Sequence, residues 1–115
     1  MADVIKVLGQ LKNPTTLTTL YTVPKSTDVV AIDTVTTIST LFICNRTTGT
    51  LTFRVSVHVD GAAIDDSMYL FYDAPIEANT TIAVTSGLTL STEDVMKVKG
   101  SGSGLSFNLF GVETS

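Results

Sequence analysis

Residues 51–59 alternate without interruption between apolar and polar side chains, and no other stretch constrains the fold as much. A strand with this two-residue period places one face on a core and the other on water or polar neighbours. The pattern therefore predicts a half-buried strand of an antiparallel sheet. The predicted core side carries Leu51, Phe53, Val55, Val57 and Val59, and the opposite side carries Thr52, Arg54, Ser56 and His58.

The residues just before this strand, Leu41 to Cys44, are apolar on both sides. Arg46 to Thr50 separate the two stretches, and Gly49 makes this segment a predicted hairpin loop. A strand with no polar side lies either in the middle of a sheet beneath a covering segment or with its outer face against another chain. The sequence leaves both interpretations open.

Other short runs rich in β-branched residues are separated by proline, glycine and polar turn residues, and each predicts a strand. The predicted strands are 4–10, 18–23, 29–32, 36–45, 51–59, 68–73, 82–85, 94–99 and 105–112, with another extended stretch at 88–90. We expect Pro24 and Pro75 to end strands, since proline cannot donate to a sheet ladder. The predicted fold class is all-β, an antiparallel β-sandwich or jelly-roll-like barrel of about eight or nine short strands.

The composition favours one domain with an unusually uncharged surface. A chain of 115 residues is expected to form a single β-sandwich domain over 1–115, in which residues 1–10 form either a strand or an N-terminal arm. Charged residues make up 16% of the chain, whereas soluble domains average about 25%. Such a surface suits closely packed neighbours.

Several partner classes are not expected. The net charge is −4 and basic residues do not cluster, which argues against direct binding of nucleic acid. No apolar run approaches the roughly 18–20 residues of a membrane span. The first residues lack the basic and apolar regions of a secretory signal, so we expect synthesis in a cytoplasm.

The nucleophiles and bases of the chain show no catalytic pattern. His58 is the only histidine, and the alternation predicts that it faces solvent or an interface together with Ser56. Their Cα atoms would be about 6.5–7 Å apart on one strand face, which is not a signature of a nucleophilic relay. The lone Cys44 lies in an apolar run and is predicted to be a small core residue.

Acidic, glycine-rich and aromatic segments also have simpler interpretations than catalysis. Asp60, Asp65, Asp66 and Asp73 lack the spacing of a calcium-binding loop, and a looser calcium site is the alternative to loop solvation and protection of a sheet edge. Gly100 to Gly104 precede no predicted helix and are expected to form a flexible turn. Tyr69, Phe71 and Tyr72 could stack on sugars or bases but are predicted as core and interface residues. The sequence therefore predicts no enzyme activity, no cofactor and no metal site.

Stretches covering most of the chain, in order, resemble small virion structural proteins of tailed bacteriophages, of the kind found in phages of cyanobacteria and marine bacteria. The stretches are 7–10, 18–24, 44–57 (CNRTTGTLTFRVSV), 69–81 (YLFYDAPIEANTT), 87–100 and 105–113. The resemblance implies a structural role in the virion, as a capsid decoration (cement) protein or a small tail or fibre component. It implies no catalytic residues.

The favoured hypothesis is a non-enzymatic decoration protein that binds the major capsid protein or other virion proteins and stabilises the particle surface. We expect a homo-oligomer, a trimer or dimer, that binds through its sheet faces and its N-terminal arm and gains strength from multivalency. Deletion of residues 1–10 is expected to weaken this association without unfolding the sandwich. The predicted interface residues are Val4, Ile5, Val7, Leu8, Leu41, Ile43 and Phe110.

The alternative hypothesis is a small tail or fibre component that binds a host surface glycan. Recognition would then use the exposed loops 60–66 and 100–104, since loops on a rigid scaffold commonly carry binding residues.

Overall fold

Nine β-strands make up most of the residues that the computed structural model describes, which are 3–25, 34–85 and 87–114. Two single-turn 3-10 helices, Val59–Gly61 and Asp66–Met68, follow the fourth strand. The strands are β1 (Asp3–Lys12), β2 (Thr18–Thr22), β3 (Val35–Asn45), β4 (Leu51–His58), β5 (Tyr69–Ile76), β6 (Thr81–Val84), β7 (Thr89–Leu90), β8 (Val95–Gly100) and β9 (Leu105–Thr114). The all-β prediction is confirmed, and the strand predicted at 29–32 lies outside the described residues. Within the described ranges, no helix has the length and apolar character needed to cross a membrane.

Strands from the first half of the chain pair with strands from the second half in a nested order. β1 pairs with β9, β2 with β8, β3 with both β6 and β7, and β4 with β5, all antiparallel. Such a ribbon buries its apolar side when it rolls up, and the rolling adds the pairs β3–β9 and β4–β8. Sheet 1 then has the order β1-β9-β3-β6, with β7 also on β3, and sheet 2 the order β2-β8-β4-β5. This is jelly-roll topology, in which β6 and β7 form one interrupted strand.

The core lies between the inner faces of the two sheets. β9 contributes Leu105, Phe107 and Leu109, all fully buried, as the alternation in the sequence predicts. Phe53 and Val55 of β4 enter the same hydrophobic cluster from sheet 2. Each buried side chain of this size stabilises the fold by about 1.5–3 kcal/mol, so a core of this kind holds the sandwich together.

Two glycines allow backbones to approach more closely than a side chain would permit. A Cβ atom on Gly9 would lie 2.3 Å from the carbonyl oxygen of Leu20, where β1 contacts β2 across one side of the sandwich. A Cβ atom on Gly111 would lie 2.4 Å from the carbonyl oxygen of Thr37 on the neighbouring strand. The register of β1 shifts between Val7 and Gly9, so the close approach coincides with a bulge.

The predicted hairpin loop at 46–50 joins β3 to β4 and is held by the buried side chain of Asn45. Its Nδ2 donates to the carbonyl oxygens of Gly49 (2.9 Å) and Ile76 (3.0 Å). Its Oδ1 accepts from the amide (2.9 Å) and the hydroxyl (2.7 Å) of Thr47. One side chain therefore closes the loop and ties it to the end of β5.

One expectation about a strand end, and one about the deletion of residues 1–10, are corrected. Pro75 does not end a strand but lies within β5, opposite Thr52. β5 is an edge strand of sheet 2, where the missing proline N–H removes no ladder bond. The N-terminal segment is a strand and not an arm, because β1 pairs with β9 from Asp3 to Lys12. Deletion of residues 1–10 would remove most of a sheet strand, so we no longer expect the sandwich to fold without it.

Candidate interaction surfaces

The outer face of sheet 1, here called face 1, is a row of side chains that project away from the core. Directly opposed residues of neighbouring strands project to the same side, which places Val7, Phe110 and Thr40 together, and Phe42 beside Asn108. Face 1 comprises Ile5, Val7, Gln10, Thr37, Thr40, Phe42, Ala83, Asn108, Phe110 and Val112. These ten side chains are uncharged, and the charged side chains that project to the same side, Asp3 opposite Thr114 and Lys12 opposite Ser106, lie at the two ends of β1.

Large apolar side chains are exposed on face 1. Ile5 is 83% exposed, Val7 48% and Phe42 38%. The rings of Phe42 and Phe110 meet edge to face, with centroids 5.7 Å apart. A shallow depression of about 520 Å³ lies beside Phe110 and is lined mainly by apolar side chains. Lys6 borders this depression, but its ammonium group pairs with Glu113 at 2.7 Å.

Most predicted interface residues of β1 are accessible, and two predicted residues of β3 are not. Val4, Ile5 and Val7 are exposed, while Leu8 and Phe110 are half-buried. That these five contact another protein stays a prediction.

Leu41 and Ile43 are wrong as interface residues, because they are 3% and 0% exposed and belong to the core. An apolar run has no polar residue to show which side faces outward. The outer side of β3 carries Phe42, which the sequence analysis did not select, and the half-buried Cys44.

A buried polar network joins the two sheets at one end of the sandwich. The hydroxyl of Tyr21 donates to Glu113 and lies 2.7 Å from the hydroxyl of Thr36. Burial, followed by the bond to Glu113, raises the pKa of Tyr21, which keeps the hydroxyl protonated. Burial alone would raise the pKa of Glu113, but the hydrogen bonds from Lys6 and Tyr21 outweigh it and hold that pKa below its ordinary value. The network is a structural tie between β1, β2, β3 and β9.

The single histidine is buried, so the prediction that it faces solvent or an interface is wrong. Nδ1 of His58 lies 2.8 Å from the carbonyl oxygen of Ala62, in the segment that follows the first 3-10 helix. A carbonyl can only accept, so Nδ1 carries the proton and Nε2 accepts from the hydroxyl of Ser56 at 2.8 Å. Ser56 and His58 are both inaccessible, which makes this pair a structural contact.

Across residues 3–25, 34–85 and 87–114, no three His, Cys, Asp or Glu side chains come together as a metal site.

The outer side of sheet 2 carries a polar and aromatic group of residues, here called the bulge cluster: Arg54, Tyr69, Tyr72 and Asp73. Arg54 donates to both carboxylate oxygens of Asp73, at 2.7 and 3.1 Å, and its guanidinium lies 4.0 Å from the centre of the Tyr72 ring. The hydrogen bond from Arg54 lowers the pKa of Asp73, which keeps it ionised. The two loops of the glycan hypothesis flank this cluster, through Asp66 on one side and Ser101 on the other.

Face 1 and the bulge cluster lie on opposite outer surfaces of the sandwich and differ in chemistry. The first exposes large apolar side chains and has no charged side chain at its centre, and the second is polar with fixed side chains. The chain finds no match among protein-family models, curated proteins or solved structures.

Proposed function

We propose that this protein is a non-enzymatic structural subunit of a bacteriophage particle, which binds other virion proteins through face 1. The observation that carries the proposal is the exposure of Ile5, Val7 and Phe42 on the central part of a sheet face, whose charged side chains lie only at the ends of β1. Exposed apolar surfaces of this kind mark contacts with another protein or a membrane. The resemblance of most of the chain to virion proteins supports a protein partner in a particle.

The dimensions of face 1 fit a protein contact. Three strands of about ten residues and the shorter β6 and β7 beside β3, spaced about 4.8 Å apart, span at most about 19 by 33 Å, or about 600 Å². A standard protein interface buries about 800 Å² on each partner. Face 1 therefore offers most of one such interface, and a surface of a virion subunit that is apolar at its centre is the complementary partner.

A jelly roll with an exposed apolar face fits the role of a decoration protein better than that of an enzyme. Double-sheet jelly rolls are common in viral capsid and lectin domains, although topology alone does not assign a function. A modest contact becomes strong when several linked copies bind a repeating lattice at once. We expect a trimer or dimer on the capsid, stabilising the particle through the apolar area that each contact buries.

The proposal is tested on particles of the phage that encodes the chain. Quantitative mass spectrometry of purified particles measures the copy number, where a high number per particle favours the capsid and a low number favours the tail. Binding of added protein to particles that lack it is then compared for the wild type, Val7→Asp on face 1 and Thr19→Asp on the exposed side of β2. We expect Val7→Asp to lose binding and Thr19→Asp to retain it. Absence from purified particles, or undiminished binding by Val7→Asp, contradicts the proposal.

A further inference from the structure

A β-bulge gathers the bulge cluster into one site. Phe53 pairs with Ala74 and Val55 pairs with Phe71, so Tyr72 and Asp73 together lie opposite the single residue Arg54. Bulges of this kind redirect side chains and are enriched beside functional sites. Asp73 has a φ of 51°, in the left-handed region that a residue with a side chain seldom adopts. Backbone strain of this kind is maintained only where the surrounding structure enforces it.

The bulge produces an exposed aromatic ring in a fixed orientation. Tyr72 is 58% exposed, although Arg54 stacks on its ring and Tyr69 meets it edge to face at 4.9 Å. Arg54 is itself held by its two bonds to Asp73, so the ring is supported by a rigid pair. A tyrosine ordered in this way offers apolar contact at a small loss of conformational entropy on binding.

Hydrogen-bonding groups surround this ring. The side chain of Asp73 is 50% exposed, and a carboxylate accepts about four hydrogen bonds, of which Arg54 supplies two. A depression of about 440 Å³ on one side of the ion pair is lined by Thr15, Thr52, Lys99 and Ser101. A second depression of about 490 Å³ is lined by Asp66, Tyr69 and Tyr72. The two depressions share the cluster as their common border, since Arg54 and Asp73 line one and the two tyrosines line the other.

We propose that the bulge cluster is a binding site for a hexopyranose unit of an oligosaccharide. A pyranose ring presents C–H groups on its faces and hydroxyl groups around its rim, which match an exposed tyrosine bordered by fixed polar groups. An apolar peptide anchor would need a hydrophobic pocket, whereas hydroxyl and charged groups line the depression beside the ion pair. Arg54 and Asp73 neutralise each other, and the other charged residues that line the two depressions are Lys99 and Asp66, so the site has no cluster of positive charge for a phosphate backbone.

The site is tested by NMR titration of the ¹⁵N-labelled protein with hexamers of glucose, of N-acetylglucosamine and of mannuronate. We expect at least one hexamer to shift the amide signals of Tyr69, Tyr72, Asp73 and Ser101, with a dissociation constant of about 1 mM or below. Tyr72→Ala removes the ring from a mostly exposed position and should weaken that binding by at least about tenfold. Tyr72→Phe keeps the ring and should bind within about twofold of the wild type.

Sugar binding and particle binding can be tested independently of each other, since the bulge cluster and face 1 lie on different sheets. Val7→Asp on face 1 should bind the hexamer as the wild type does, whatever its effect on particle binding. The inference is overturned if none of the three hexamers shifts these amides. Equal binding by Tyr72→Ala and the wild type, or shifts confined to residues away from the bulge cluster, overturns it as well.

Discussion

The hydroxyl oxygen of Ser56 lies 2.8 Å from Nε2 of His58, and neither side chain has exposed surface. The distance equals that of a nucleophile and its base, yet a substrate cannot reach this hydroxyl. The other ring nitrogen bonds a backbone carbonyl, that of Ala62, where a relay would have a carboxylate. The pair therefore fixes the segment after β4 onto the outer side of sheet 2.

Ser56→Ala should destabilise the protein without affecting either proposed binding activity. The substitution leaves Nε2 of a buried imidazole without a partner, which lowers the free energy of unfolding by about 1–3 kcal/mol. Urea unfolding followed by circular dichroism measures the difference. Ser39→Ala, at an exposed position of β3, is the matched control and should change stability by less than about 0.5 kcal/mol. If the two variants unfold at the same urea concentration, the histidine contact contributes nothing to stability.

Gly9→Ala should be among the most damaging small substitutions. The added methyl group would lie 2.3 Å from the Leu20 carbonyl oxygen, so β1 and β2 must separate where they contact. We expect a loss of about 2–4 kcal/mol, as for other changes that force a packed backbone to move. Gly49→Ala is the control, because nothing lies within 4 Å of a Cβ at that position. Thermal unfolding of both variants checks the prediction, and a Gly9→Ala protein as stable as Gly49→Ala would contradict the close approach.

Asn45→Ala should disorganise the hairpin loop between β3 and β4. The buried amide makes bonds to Gly49, Ile76 and Thr47, and its removal leaves backbone groups without partners. The expected loss in unfolding free energy is about 2–4 kcal/mol. Asn108→Ala removes an amide whose bond to Gln10 is exposed, so a change below about 0.5 kcal/mol is expected. Hydrogen exchange should show faster opening of the loop amides in Asn45→Ala alone, and unchanged exchange there would contradict this role.

The strands could be predicted from the sequence because alternation and turn residues are local signals. The alternation of β9 correctly separated buried Leu105 and Phe107 from partly exposed Ser106. The same reasoning could not show that His58 is covered, since the covering segment around Ala62 is placed by tertiary contacts. A period of two describes one strand and contains no information about what folds over it.

The candidate surfaces were less accessible to sequence reasoning than the fold. In Leu41 to Cys44 both faces are apolar, so the pattern did not show that Phe42 points outward while Leu41 and Ile43 enter the core. The bulge cluster depends on a register shift between Arg54 and the Tyr72–Asp73 pair. A register shift is set by how two strands meet, and neither strand shows it alone.

The stability of the sandwich should decrease in acid through Glu113. Hydrogen bonds from Lys6 and Tyr21 hold the pKa of this carboxyl below its ordinary value of 4.5, so the unfolded chain takes up the proton first as the pH falls. The stabilisation is therefore complete above about pH 4.5 and is lost as the pH falls through the lower folded pKa. Glu113→Gln imitates the protonated carboxyl, so it should be less stable than the wild type at about pH 7 and approach it at about pH 3. Urea unfolding across this range measures the difference in stability between the wild type and Glu113→Gln. Lys6→Met removes the cation, so it too should be less stable than the wild type at about pH 7 and approach it at about pH 3. A wild-type advantage that stays constant down to about pH 3 would show that the ion pair of Lys6 and Glu113 does not favour the ionised carboxylate in the folded state.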